Sequence, residues 1–275
     1  MSIITLTTDW QTHDHYSGMI KGRLLRLIPN AIVTEINQHI EPFHILQASF
    51  VLRQVLAEYP DGSVHLFLVN QGHRPGIWPA VAQYKQQFLV GWDDGTLSLI
   101  IDADPDYYLR LNHDVLDIMD RSTGTTDQFR KIDPSFPELS LFTRIASFLA
   151  AGFPLSAAGP HATDFVISRS WLPVIQKDQI DGQVVFIDSY RNAITNIPKS
   201  GFLKIGLNRP FEITIKSNKY KIFGINQTYL ESDPGELLAI FNSSGLLEIA
   251  IVHGNAAELL GFEPGTPIKI KFDEQ

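Results

Sequence analysis

The stretch that decides the fold is VHLFLV, residues 64–69, a continuous run that is apolar except for His65. A strand with one solvated face alternates apolar and polar side chains, whereas a continuous apolar strand is typical of a parallel sheet that is covered on both faces. Two β-branched runs lie upstream, IITLTT at residues 3–8 and AIVTEI at residues 31–36. We therefore predict that these three runs share a buried, mostly parallel sheet.

The segments between these runs have helical periodicity. Residues 16–28 carry apolar side chains at helical spacing and stop at Pro29, and residues 43–59 are strongly amphipathic. A strand–helix–strand–helix–strand order over about 70 residues predicts an α/β domain. Further along, the sequence predicts two strands with a turn at Asp93-Asp94-Gly95, and a helix over residues 138–152.

After this helix the pattern of the sequence changes. The runs GQVVFID, FEITIK, YKIFGI, LAIFNSSGLLEIAIV and PIKIKF are short and are separated by Gly, Pro and Asn, which is typical of an all-β region. We predict an α/β domain over residues 1–167, a linker over residues 168–179 and a smaller all-β domain over residues 180–275.

Composition excludes several classes of function. The chain has 275 residues, a formal net charge of −8 and no cysteine, so disulfides, thiolate metal sites and a cysteine nucleophile are ruled out. An acidic chain lacks the basic face of a nucleic-acid binder. There is no apolar run of about 18 residues to span a membrane, and no basic segment precedes the first strand as it would in a signal peptide. We expect a cytoplasmic protein with neither nucleic-acid nor membrane partners.

Polar clusters follow the predicted strands, and ligands of open α/β sheets bind beyond the carboxyl ends of strands. The clusters of the α/β region are TTDWQTHDHY at residues 7–16, NQGHRPG at residues 70–76 and WDDG at residues 92–95. Those of the β region are DSYRNAITN at residues 188–196, NSSG at residues 242–245 and GNAA at residues 254–257.

The first cluster leaves several interpretations open. Asp9, His13, Asp14 and His15 could ligate a divalent metal, but no helical register fixes the two histidines, and a solvated loop with a helix cap explains them as well. Asp9 ends an apolar strand, where a carboxylate is costly unless it binds something. Ligand binding and helix capping are both consistent with Asp9. Likewise, the glycines and proline of residues 70–76 suit either close backbone approach to a ligand or an ordinary surface loop.

In this order, the clusters resemble the S-adenosylmethionine (SAM) hydroxide adenosyltransferases and their fluorinase and chlorinase relatives. That family opens with T-D-F-G-x-x-D-x-Y-V-G-x-x-K-G, similar to TTDWQTHDHYSGMIKG here. Its later motifs are similar to EYPDGSVHLFLV, WDDGTLSLI, FLAAGFPLSAAG, DSYRNAITNI and NSSGLLEIAIVHGNAA. The resemblance covers nearly the whole chain.

The resemblance implies a β-barrel-like C-terminal domain and a homotrimer that holds the ligand between the α/β domain of one subunit and the β domain of the next. It implies hydrolysis of SAM to adenosine and methionine by attack of water at the ribose C5′, without a cofactor or metal. By position in the motifs, it assigns Asp9 to the ribose hydroxyls and Phe43 to the sugar or base. The remaining ligand residues that it implies are Asp188, Tyr190, Asn192, Tyr229, Ser243, Asn255 and Ala256.

The sequence departs from the family where water is activated. The hydrolases carry an Asp, an Arg and a His there, and the aligned positions hold Asn70, Ile77 and Pro137. Candidate replacements are Asn70, His73, Arg74 and Glu138, with His13 as a further one. A carboxylate at residue 138 would repel a halide, which disfavours halogenation. Two functions follow, a SAM hydrolase or a SAM- or adenosine-binding protein that lacks turnover; a third possibility is a trimer that has lost the ligand.

Overall fold

A six-stranded sheet forms the centre of the first of two units, Met1–Ser168. The computed structural model describes residues 2–10, 14–37, 39–69, 76–101, 103–168, 172–216 and 220–273. The strands of this sheet are β1 (Ile3–Thr8), β2 (Ile32–Asn37), β3 (Val64–Leu68), β4 (Pro79–Tyr84), β5 (Gln87–Trp92) and β6 (Tyr107–Arg110).

The strand order is β2-β1-β3-β5-β4-β6. The first three pairs are parallel, and β4 runs antiparallel to both β5 and β6. The predicted α/β unit with a mostly parallel sheet is therefore confirmed. Its helices are α1 (His15–Leu27), α2 (Ile45–Val55), α3 (Thr96–Ile100), α4 (His113–Thr123), α5 (Asp127–Arg130) and α6 (Glu138–Ala150).

The VHLFLV run is apolar because both faces of β3 are buried. Val64, Leu66 and Leu68 pack with the core that includes α1 and α6, whereas Phe67 and Val69 belong to the core beneath α2. This is the arrangement that an unbroken apolar strand predicts.

His65 is the polar exception on β3, and it is fully buried on the α2 face. Its Nδ1 pairs with the hydroxyl of Thr5 at 2.8 Å and its Nε2 with Oε1 of Gln87 at 3.2 Å. The Gln87 amide nitrogen donates in turn to the carbonyls of Leu56 and Tyr59. Burial lowers the pKa of His65 to about 4, although the hydrogen bond with Gln87 acts in the opposite direction.

One local prediction was wrong in part. Residues 93–95 form the expected turn, but a helix, α3, follows it where a strand was predicted, and the hairpin between β4 and β5 turns at Lys85 and Gln86. Both of these residues have positive φ, 47° and 63°, as a two-residue hairpin turn requires. The carboxylate of Asp94 accepts the backbone N–H of Thr96, the first residue of α3, at 3.0 Å, so it pairs one of the donors that a helix leaves unpaired at its start.

The second unit, Arg169–Gln275, is built on antiparallel strands. They are β7 (Val174–Ile175), β8 (Gln179–Ile187), β9 (Ala193–Pro198), β10 (Phe211–Ile215), β11 (Tyr220–Ile222), β12 (Leu237–Phe241), β13 (Leu246–Ile251) and β14 (Pro267–Phe272). Two helices accompany them, α7 (Lys199–Gly206) and α8 (Ala256–Leu260).

The sheet of this unit runs in the order β11-β10-β14-β8-β9-β13-β12, and β7 pairs with β8. A bridge between Asn226 and Ile240 joins the segment after β11 to β12, so the two ends of the sheet approach one another. The predicted barrel-like all-β unit is confirmed. Across the described part of the chain, no helix is long and apolar enough to cross a membrane.

Candidate functional site

Asp9 lies directly beyond the carboxyl end of β1, and its side chain is buried, with 8% of the residue exposed. Its Oδ2 accepts the backbone N–H of Phe43 at 2.7 Å. Phe43 lies two residues before α2, so a single carboxylate ties the end of the strand to the entrance of the helix. The structure thus brings together two residues that the sequence assigned to the ligand.

Phe43 has an unusual backbone conformation, with φ at 67°. A bulky residue in the left-handed region is disfavoured by contact between its Cβ and the carbonyl oxygen. The bond from Asp9 holds this conformation, yet the aromatic ring it directs is 73% exposed. Strained backbone that directs an exposed aromatic ring is typical of a binding site rather than of a packing contact.

Aromatic rings line the same edge of the sheet. Trp10 follows Asp9, and its ring lies 5.9 Å from that of Tyr16 and 5.4 Å from that of Phe136. Phe136 precedes α6, whose first residue is Glu138, and Oε1 of Glu138 accepts the indole N–H of Trp92 at 3.2 Å. Because Trp92 ends β5, the candidate catalytic residue Glu138 lies at the carboxyl edge that also carries Asp9.

Three of the candidate catalytic residues follow β3 in the sequence. Asn70, His73 and Arg74 lie outside the described residues, as does His13. In the parts of the chain that are described, no group of three or more His, Asp or Glu side chains could hold a metal ion. Glu138 is therefore the candidate catalytic residue whose surroundings can be stated.

The cluster after β5 serves the fold. The carboxylate of Asp93 is buried and accepts the hydroxyl of Tyr108, a guanidinium N–H of Arg110 at 3.2 Å and the backbone N–H of Val166 at 3.3 Å. Burial, together with the hydrogen bond to Asp93, raises the pKa of the Tyr108 hydroxyl. Asp93 thus fixes the segment around Val166, and we assign it no role toward a ligand.

In the second unit, Asp188 and Asn192 close the loop between β8 and β9. Oδ1 of Asp188 accepts the backbone N–H of Asn192 at 2.8 Å, and its Oδ2 accepts the side-chain amide of Asn192 at 3.3 Å. Arg191 has φ at 70°, and its carbonyl accepts the backbone N–H of Ala257 in α8 at 2.9 Å. The loop therefore presents Tyr190, which is 79% exposed, from a fixed base.

Tyr229 lies in a short 3₁₀ turn, and its hydroxyl donates to Oε1 of Glu248 in β13. Burial is the main cause that raises the pKa of this hydroxyl, followed by the carboxylate of Glu248 and the charge of Asp188. Sequence reasoning missed Glu248, although a glutamate within the run LLEIAI is itself a signal that a buried partner exists.

The other predicted ligand residues lie on two turns at opposite ends of β13. Ser243 is exposed in the hairpin between β12 and β13, next to Asn242, whose side-chain amide donates to Oε2 of Glu248 at 3.2 Å. Asn255 caps α8 by accepting the backbone N–H of Glu258 at 2.9 Å, and Ala256 is fully buried.

Comparison with known proteins identifies the family of the chain. Residues 4–159 match the SAM hydroxide adenosyltransferase N-terminal domain, and residues 182–269 match the C-terminal domain of the same family. The chain belongs to the SAM hydroxide adenosyltransferase family. The first of the two matches alone covers more than half of the chain, and the family predicted from the sequence is confirmed.

Relatives of this family align over almost the full length. A protein of Thermus thermophilus named (R)-S-adenosyl-L-methionine hydrolase is 26% identical over 276 residues, which is 98% of this chain and 100% of the relative. One of Salinispora arenicola with the same name is 26% identical over 97% of each chain. A fluorinase of Actinoplanes is 23% identical over 94% of this chain and 92% of its own.

The solved structures agree on the fold. The crystal structure of an uncharacterized conserved protein from Thermotoga maritima is 28% identical and matches with a TM-score of 0.82 over 98% of this chain and 99% of that one. A conserved hypothetical protein from Thermus thermophilus matches with a TM-score of 0.71 at 22% identity, over 98% of this chain and 100% of that one, and shows the fold alone.

Proposed function

We propose that this protein hydrolyses SAM to adenosine and methionine. Membership of the family supports the proposal, and so do four relatives named (R)-S-adenosyl-L-methionine hydrolase, each aligned over at least 96% of this chain. The observation that carries it is the pairing of buried Asp9 with strained, exposed Phe43 at the carboxyl edge of the sheet.

In this reaction the bonds form and break between water and SAM. The oxygen of a water molecule bonds to the ribose C5′ while the C5′–sulfur bond breaks; methionine leaves with the electron pair as a neutral thioether, and one proton of the water passes to solvent. Since the sulfonium is already an activated leaving group, most of the catalytic effect can come from holding water and C5′ in line.

In this proposal Asp9 accepts hydrogen bonds from the ribose hydroxyls, since an ionised carboxylate has several acceptor positions and keeps some beside the N–H of Phe43. The ring of Phe43 covers the sugar or base. Asp188 and Asn192 hold the methionine ammonium and the adenine side, and Ser243 holds the amino-acid carboxylate. Tyr190 and Tyr229 flank the adenine, and Asn255 and Ala256 present backbone to its edge.

These two sets of residues belong to different units of the chain. We propose that they meet across subunits of a homotrimer, with the first unit of one subunit facing the second unit of the next. The molar mass in solution, measured by light scattering, tests this assembly; a monomer that still turns over SAM contradicts it.

Glu138 is the proposed group that orients water, because its carboxylate lies at the edge that carries Asp9 and its Oε1 is held by Trp92. A second candidate function, binding without turnover, is favoured by Pro137, which has no titratable group where the hydrolases carry His. A positioned general base contributes about 10²–10⁴-fold, so the two functions differ in rate and share the same ligand.

The deciding experiment incubates purified protein with SAM in water enriched in ¹⁸O and follows adenosine and methionine by mass spectrometry. Hydrolysis at C5′ places ¹⁸O in the 5′-hydroxyl of adenosine, which distinguishes it from contaminating adenosine. Calorimetry with SAM and with adenosine runs in parallel. Binding without labelled adenosine above the rate in buffer supports the second function, and absence of both turnover and binding overturns both.

A further inference from the structure

Glu248 is a buried carboxylate in an apolar strand. It is 3% exposed, and its neighbours in β13, Leu247 and Ile249, are fully buried. Among the residues that the structure describes, no Lys, Arg or His forms a salt bridge with it. A buried carboxylate is costly unless strong hydrogen bonds compensate it, so its presence calls for an explanation other than stability.

Both oxygens of Glu248 have hydrogen-bond donors, and the donors come from separate segments. The Tyr229 hydroxyl donates to Oε1, and the side-chain amide of Asn242 donates to Oε2 at 3.2 Å. The opposite end of the Asn242 amide is also fixed, since its Oδ1 accepts the backbone N–H groups of Ser244 and Leu246 at 3.1 and 3.2 Å. One carboxylate therefore sets the orientation of a tyrosine and the shape of a hairpin.

These two segments both carry residues of the proposed ligand site. Tyr229 is 41% exposed, so its ring reaches solvent while its hydroxyl is anchored below. Ser243 is exposed next to Asn242 in the hairpin. Glu248 thus links the segment that carries Tyr229 to the hairpin that carries Ser243.

We propose that Glu248 is a positioning residue of the adenosyl site: it acts through Tyr229 and Asn242, and it fixes the tyrosine ring and the Ser243 hairpin at the spacing that the ligand requires. This inference rests on the proposed function. Glu248 itself is covered by its donors, so its effect is on affinity and not on the chemical step.

The test compares Glu248→Gln, Tyr229→Phe and the double variant, with Glu263→Gln as the control because the Glu263 side chain is exposed and lies in the same unit. Glutamine keeps the size of glutamate but loses its charge and presents N–H to one of the two donors. Calorimetry gives the Kd for adenosine, and the hydrolysis assay separates KM from kcat. Far-ultraviolet circular dichroism at the assay temperature establishes that each variant is folded.

We expect Glu248→Gln to raise the Kd and KM about tenfold or more, which corresponds to losing one hydrogen bond to a charged group, with kcat unchanged. Tyr229→Phe should give a similar increase. The double variant should have a Kd no higher than that of the weaker-binding single variant, because both changes break the same hydrogen bond between Tyr229 and Glu248. In the free protein labelled with ¹³C-tyrosine, Glu248→Gln should shift the Tyr229 ring resonance, which the spectrum of Tyr229→Phe identifies by its absence.

A wild-type Kd together with an unshifted Tyr229 resonance in Glu248→Gln would overturn the inference and leave the proposed function standing, as would fully additive effects in the double variant. A wild-type protein that binds neither SAM nor adenosine would overturn the proposed function and this inference with it. Should Glu248→Gln fail to fold, Asn242→Ala and Tyr229→Phe test the same contacts from the donor side, and wild-type affinity in both overturns the inference.

Discussion

The left-handed backbone at Phe43 leads to a quantitative prediction, because the backbone conformation affects stability and the aromatic ring affects binding. Replacement by Gly and by Ala removes the same ring, of which 73% is exposed. Fully burying a Phe side chain contributes about 1.5–3 kcal/mol, so removing this mostly exposed ring costs only about 0.5 kcal/mol of folding free energy in either variant.

The two variants differ in the backbone term. The φ of 67° costs a residue with a Cβ about 1–2 kcal/mol. Glycine is free of that cost but loses about 0.5–1 kcal/mol more conformational entropy on folding than alanine. We therefore expect Phe43→Gly to be as stable as the wild type within about 1 kcal/mol, and more stable than Phe43→Ala by about 0.5–1 kcal/mol.

Urea unfolding followed by circular dichroism measures these differences, with Leu259→Ala as the control, since Leu259 is 69% exposed and lies far along the chain on α8. Phe43→Ala being the more stable of the two would refute the assignment of strain to this residue. In the ligand assay, both variants should bind adenosine about 5–150-fold more weakly, because an aromatic side chain stacked on a base contributes about 1–3 kcal/mol. Phe43→Trp should keep most of the affinity, and wild-type affinity in Phe43→Gly would refute contact between the ring and the ligand.

Three further predictions follow from other contacts. Asp9→Asn should stay folded, since the amide oxygen can still accept the Phe43 N–H, but should bind adenosine about 10–150-fold more weakly by calorimetry; equal weakening with 2′,3′-dideoxyadenosine would contradict a contact to the ribose hydroxyls. Burial lowers the pKa of His65 from 6.5 to about 4, so as the pH falls the unfolded chain takes up a proton before the folded chain does. His65 should therefore leave the free energy of unfolding unchanged above pH 6.5 and lower it by about 3 kcal/mol between pH 6.5 and 4. Urea titrations of His65→Gln should lack that part of the decline. Asp120 is 1% exposed and accepts the Nε of Arg144 at 2.9 Å, so Asp120→Asn should cost about 3–5 kcal/mol of unfolding free energy, whereas Asp117→Asn on the exposed side of α4 should cost less than about 0.5 kcal/mol.

The parts of the fold that could be predicted from the sequence are those that a pattern of consecutive residues determines. VHLFLV predicts a strand buried on both faces because every side chain except His65 contributes to the apolar pattern. The run TLSLI is also short and mostly apolar, yet it is helical: Gly95 turns the chain before it with φ at 94°, and Asp94 accepts the backbone N–H of Thr96, its first residue. A short apolar run therefore does not distinguish a strand from a helix when the residues just before it determine how the chain turns.

The site shows the same division. Asp9 could be singled out from the sequence because a carboxylate ends an apolar strand, but its bond to Phe43 spans 34 residues and follows from the packing of α2 on the sheet. Glu248 was missed because its donors, Tyr229 and Asn242, lie in turns whose approach depends on how β12 and β13 pair. The sequence shows that a carboxylate stands in or at the end of an apolar strand, but only the tertiary structure shows which groups it contacts.

The loop at residues 188–192 has a thermodynamic consequence for association. Its shape is set by hydrogen bonds within the chain, from Asn192 to Asp188 and from Ala257 to Arg191. A flexible loop loses conformational entropy when it binds a small molecule. In this loop that entropy is already lost when the chain folds. Association at this surface should therefore proceed without a slow loop-closing phase, at a rate set by diffusion and by the charge of Asp188.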